Sequence, residues 1–103
     1  MTKHNLKLND RYFDAVANGI KTFEIRKDDR CYRSGDTLIL YRVGNDGKYL
    51  TDTVWEGKPL TESIPTSKVD RIEVMVKYIL THDAFPDGIP EGYVVMAIER
   101  VSE

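Results

Sequence analysis

The longest regular pattern in this chain is a two-residue alternation, with Ile72, Val74, Val76 and Tyr78 on one side and Arg71, Glu73, Met75 and Lys77 on the other. Side chains two residues apart share one face of an extended strand, so the pattern predicts a long β-strand with one face buried. Such a strand needs partners along its edges and a cover for its apolar face. Five further segments supply them. His4–Leu8 alternates Leu6 and Leu8 with Asn5 and Lys7, and Phe23 and Ile25 alternate with Glu24 and Arg26 as a strand with one buried face. Thr37–Val43 is apolar on both sides, as expected of a strand covered on both faces, and Tyr93–Val101 is the last strand. Asn45–Asp46–Gly47 marks a tight hairpin, because these residues tolerate positive φ, with Tyr49–Trp55 as the return strand. Residues 56–68, with Gly57, Pro59 and Pro65, read as irregular, and residues 81–92 as a loop.

One helix is expected, over Asp10–Asn18. Asn9 can cap its N-terminus, and Asp10 places a negative charge where the helix dipole favours one. Phe13, Val16, Ala17 and Ile20 follow i, i+3, i+4, i+7 spacing and give it an apolar face, while Gly19 stops it. About six short strands cannot each bury a face in a flat sheet this small. The expected fold is therefore mainly β (α+β), a small closed or nearly closed barrel with the N-terminal helix packed on it. At 103 residues the chain fits a single domain over 1–103.

No apolar run reaches the ~20 residues of a membrane span, so no membrane association is expected. Residues 1–13 hold two lysines but no apolar core, so a signal peptide is not expected. The single cysteine, Cys31, suits a reducing compartment, and the expected location is cytoplasmic. Charge is polarised along the chain. Residues 1–33 carry 8 basic and 5 acidic side chains, net +3, against 7 and 12 in the remainder, net −5. Such a split can steer an anionic partner, and it also arises by chance.

The candidate chemistry concentrates in the same N-terminal third. His4, His82 and Cys31 have no ligand spacing, so neither a metal nor a cofactor is expected. His82 beside Asp83 has no evident nucleophile and reads as a loop histidine. The sharpest feature is the run from Gly19 to Arg26. A glycine turn delivers Lys21 to the mouth of a strand on which Glu24 and Arg26 share a face. Lysine, glutamate and arginine together serve recognition, cations holding a phosphate or carbonyl oxygen while the carboxylate accepts from an amine. They also serve proton transfer, or form a surface ion-pair ladder. Lys27, Arg30, Tyr32 and Arg33 extend the cluster, and basic residues interleaved with an aromatic suit phosphates plus a stacked base. Asp28 and Asp29 offset them, and Tyr32 can equally pack against the barrel. Tyr49 and Trp55 offer a second stacking platform or hairpin packing.

Gly19, Lys21, Glu24 and Arg26 resemble the Gly-x-Lys-x-x-Glu-x-Arg signature of ASCH domains (activating signal cointegrator homology), a branch of the PUA-like β-barrels. The segments GIKTFEIRKDDR, GDTLIL and GYVVMAI are similar to a small bacterial and phage family placed in that superfamily. The resemblance implies a PUA-like barrel whose cleft binds RNA or a modified nucleoside. It also implies an enzymatic alternative, since one ASCH subgroup hydrolyses the amide of acetylated cytidine with a lysine, a threonine and a glutamate. Lys21 occupies the lysine position, Glu24 replaces the threonine, and Glu73 is a candidate for the partner acid. Thr22 falls on the wrong side of a regular strand.

Overall fold

The computed structural model describes residues 1–49 and 69–101. The chain runs through β1 (Lys3–Asn9), α1 (Asp10–Ala17), β2 (Phe23–Lys27), β3 (Thr37–Val43), β4 (Arg71–Thr81) and β5 (Tyr93–Arg100). The five strands form one sheet in the order β1-β3-β4-β5-β2. β1 runs parallel to β3 and every other neighbouring pair is antiparallel. The sheet curls into a half-barrel, with β1 and β2 as its two edges. The strand expected over Tyr49–Trp55 and the irregular stretch 56–68 lie outside the described residues except for Tyr49, which bridges Val43. No helix among the described residues is long and apolar enough to cross a membrane.

The concave face holds the core. Leu6 and Leu8 of β1, Leu38 and Leu40 of β3, and Val94, Met96 and Ile98 of β5 point inward beside Ile72, Val74 and Val76 of β4. Leu38, Leu40 and Met96 are fully buried, each contributing about 1.5–3 kcal/mol of apolar burial. The turn after β3 forms as its composition predicts: Gly47 has φ +79°, and the Gly44 N–H donates to the Lys48 carbonyl.

The helix starts as expected, the Asn9 side chain accepting from the Arg11 N–H, and packs on the core through Phe13 and Val16, with Ala17 half-buried. It comes after the first strand and ends at Ala17, with Asn18 as its C-cap. Three expectations about side-chain faces are corrected. Ile20 is 79% exposed, because the chain leaves the helix at Gly19 (φ +74°) before the i+7 position can turn inward. On β4 a bulge between Val76 and Tyr78 shifts the register, so Tyr78 faces outward and Ile79 packs against the core instead.

The third correction bears on function. On β2 the apolar residues Phe23 and Ile25 are exposed, whereas Glu24 is only 3% exposed. Alternation fixes that neighbours point to opposite sides, but which side is buried depends on what waits there. Here two cations wait for the carboxylate, and the strand turns its acid inward.

Candidate functional site

Glu24 is built into the gap between the two sheet edges. Its register on β5, opposite Met96, places the side chain on the concave side of the sheet. The turn at Gly19 is held by the Ile20 and Lys21 N–H groups, both donating to the Ala15 carbonyl at 2.9 Å. Lys21 can therefore reach back along the strand, and its Nζ donates to Glu24 Oε1 at 2.9 Å and to the Phe23 carbonyl at 2.7 Å. Arg26 lies two residues beyond Glu24 on the same face, and its Nε donates to Glu24 Oε2 at 2.8 Å. Each carboxylate oxygen thus has its own cation. Burying an uncompensated carboxylate costs several kcal/mol, and the two partners, themselves largely shielded from water, offset that cost.

Arg26 does more than pair with the acid. Its Nη2 donates to the Lys7 carbonyl at 2.6 Å, so one guanidinium ties edge strand β2 to edge strand β1. On one side of this tie lies a cavity of about 480 Å³, bounded by Lys7, Leu8 and Asn9 of β1, Tyr12 of α1, Lys21, and Phe23–Arg26 of β2. The Lys21 ammonium is 4.7 Å from the Phe23 ring centroid and 5.6 Å from that of Tyr12, within cation–π range of both. The cleft therefore has a charged floor, a net excess of cations, and two partly exposed aromatic rings at its walls.

Of the residues singled out from sequence, Lys21, Glu24 and Arg26 come together here, while Gly19 forms the turn before them and borders a separate depression. Arg30 borders a second hollow and approaches Asp29 only at 3.9 Å. Lys27 is exposed at the end of β2, and Arg33 is exposed with its backbone N–H on Asp36. Tyr32 is not a stacking surface. It is 7% exposed and packs edge-on against the His4 ring at 4.8 Å. Burial raises its phenol above the ordinary value, against the opposing pull of Arg26 and Arg30. Glu73 sits on β4, opposite Ile39 of β3, and does not border the cleft. Thr22 lines a separate depression beside Val16 and Arg100. His82 holds the Ile89 carbonyl at 2.7 Å through Nδ1, a loop-fixing contact. Among the described residues no cluster of His, Cys, Asp or Glu is suited to a metal ion.

Three features were not anticipated from sequence. Tyr12 and Phe23 wall the cleft, and the signal for Tyr12 was its place on the polar side of the helical stripe. The Arg26–Lys7 bond joins residues 19 apart at opposite sheet edges and leaves no sequence trace. The third is a buried pair behind the basic loop, His4 Nε2 at 2.9 Å from Asp36 Oδ2. Burial alone would raise the Asp36 carboxyl, but hydrogen bonds from His4 and from the Thr2 and Arg33 N–H groups hold it below the usual aspartate value.

Residues 3–98 match the model of a protein family described as a domain of unknown function, DUF3850. A protein of Escherichia phage P2, described as an uncharacterized 12.9 kDa protein in the GpA 3' region, is 34% identical over 87 residues. The match covers 84% of this chain and 72% of the phage protein.

Proposed function

The chain belongs to the DUF3850 family, which lends it no activity, so we propose from the site itself that it is a binding domain for a nucleoside or for RNA. The observation that carries this reading is the buried Glu24 carboxylate, held by Lys21 and Arg26 at the floor of a cleft walled by Tyr12 and Phe23. A planar base can lie against the rings, its exocyclic amine donating to Glu24 and its carbonyl or phosphate oxygens facing the cations. The cavity volume falls in the range usual for small-molecule sites. On this reading the half-barrel is that of an ASCH-type, PUA-like barrel of about six strands, working in the cytoplasm.

Hydrolysis of an acetylated cytidine is the weaker reading. Among the described residues the cleft has no serine or threonine at its walls, and Glu73, the candidate second acid, is on β4. Both oxygens of Glu24 already accept from cations, which favours a fixed acceptor over a group that exchanges protons with substrate.

The deciding experiment is Glu24→Gln, assayed by calorimetry against unmodified and modified nucleosides and by chromatography for acetylcytidine deacetylation. The amide keeps the shape and one acceptor but cannot take a proton. The expected result is no turnover by wild type and a loss of about 1–3 kcal/mol in binding, the scale of leaving a buried polar partner unmatched. Turnover by wild type, abolished in a variant that still binds, would overturn the binding-domain reading.

A further inference from the structure

Arg26 and Lys7 border two hollows, the Glu24 cleft and a second one that reaches over β1 towards β3. The second hollow has a volume of about 390 Å³ and is lined by Asn5, Leu6, Arg30, Tyr41 and Tyr49 beside the two shared cations. The second compartment has its own aromatic pair. The Tyr41 and Tyr49 rings meet edge to face with centroids 6.1 Å apart, and the Lys7 ammonium is 5.4 Å from the Tyr49 centroid. Arg30 adds a further cation there. Each hollow therefore has an aromatic pair, and the two share the cations Lys7 and Arg26.

A mononucleoside offers one plane and no phosphate, and it would occupy only one of the two compartments. Two consecutive nucleotides offer a plane, a phosphodiester and a second plane, which matches two aromatic pairs joined by shared cations. Base–aromatic stacking tolerates any base, and a guanidinium suits a phosphate oxygen pair. Resting on the nucleoside-or-RNA reading above, we propose that the ligand is a single-stranded segment of at least two nucleotides. One base lies in the Glu24 cleft and the next against Tyr41 and Tyr49, with the linking phosphate at Arg26 and Lys7.

The test compares the four ribonucleosides with the homodinucleoside monophosphates ApA, CpC, GpG and UpU, by calorimetry on wild type, Tyr41→Ala, Tyr49→Ala and Glu24→Gln. For at least one base, the dinucleotide is expected to bind wild type tenfold or more tightly than the nucleoside. Tyr41→Ala or Tyr49→Ala should then weaken the dinucleotide by about fivefold or more, the lower end for one stacked base, and leave nucleoside affinity unchanged. Glu24→Gln should weaken both. Tyr49 lies beyond β3 and bridges Val43 through its backbone, and thermal melting of each variant separates misfolding from lost contact. Nucleosides that bind as tightly as dinucleotides, or tyrosine variants that bind dinucleotides like wild type, overturn the two-nucleotide proposal alone. Failure of every probe to bind overturns it together with the reading on which it rests.

Discussion

Replacing Asp36 by asparagine should destabilise the fold at neutral pH and progressively less in acid. Asp36 is 4% exposed and accepts three hydrogen bonds, from the Thr2 N–H at 3.1 Å, the Arg33 N–H at 3.1 Å and His4 Nε2 at 2.9 Å. An ionised carboxylate only accepts, so the histidine nitrogen facing it must be the donor. Asparagine keeps one oxygen. If that oxygen takes the place of Oδ2, His4 and Arg33 retain a partner but the new amide confronts the Thr2 N–H, donor to donor. One orphaned donor costs about 1–3 kcal/mol, and the two surviving bonds lose their charge assistance, for a total of about 2–4 kcal/mol. In a domain of this size that corresponds to a fall in Tm of roughly 8 °C or more.

The pH dependence has a definite sign. Because the folded Asp36 carboxyl lies below its usual value, its contribution is complete above the unfolded pKa of about 3.9 and lost as pH falls through the lower folded value. Wild type should shed this stability below about pH 4, whereas Asp36→Asn has none of it to shed. Urea unfolding of both proteins at about pH 7, 5, 3.5 and 2.5 measures the gap directly. A gap that stays constant into acid, or a Tm loss under about 3 °C at neutral pH, would refute the reasoning.

The inverted face of β2 gives a second prediction. Ile25→Ser should change stability by less than about 0.5 kcal/mol in urea titration, since Ile25 is 55% exposed, whereas a buried isoleucine would cost several times more. Gly19→Ala should cost about 1–2 kcal/mol in the same assay. No atom lies within 4 Å of the added methyl, but φ +74° is strained for any side chain, so a steric account predicts no loss and a conformational one predicts this loss.

Much of the fold was legible because it follows from short-range rules. The cap at Asn9, the helix face of Phe13 and Val16, the turn at Asn45–Asp46–Gly47 and the strand over Thr37–Val43 depend on neighbours a few positions away. The errors share a different cause. The burial of Glu24 depends on Lys21 and Arg26 closing around it, and the outward turn of Tyr78 depends on a bulge in its pairing with β5. Ile20 obeyed helical spacing past the point where the helix had ended. The signature residues of the site were visible as a cluster, but Tyr32 was ambiguous because an aromatic between cations looks the same whether it covers a ligand or a histidine. The aromatic walls supplied by Tyr12 and Phe23 depend on two elements meeting across the gap, a fact of three dimensions.

The sheet order carries a consequence of its own. β1 and β2 are separated in sequence only by α1 and the Gly19 turn, yet they stand at opposite ends of the strand order, with three later strands between them. Residues 7–26, one continuous stretch of chain, therefore border the whole Glu24 cleft, while β3, β4 and β5 act as the frame that bends its two ends together. Genetically this makes the cleft a cassette. Substitutions in this one short block of codons reshape the Glu24 cleft itself, whereas substitutions in β3, β4 and β5 reach that cleft only by altering how far its two ends stand apart.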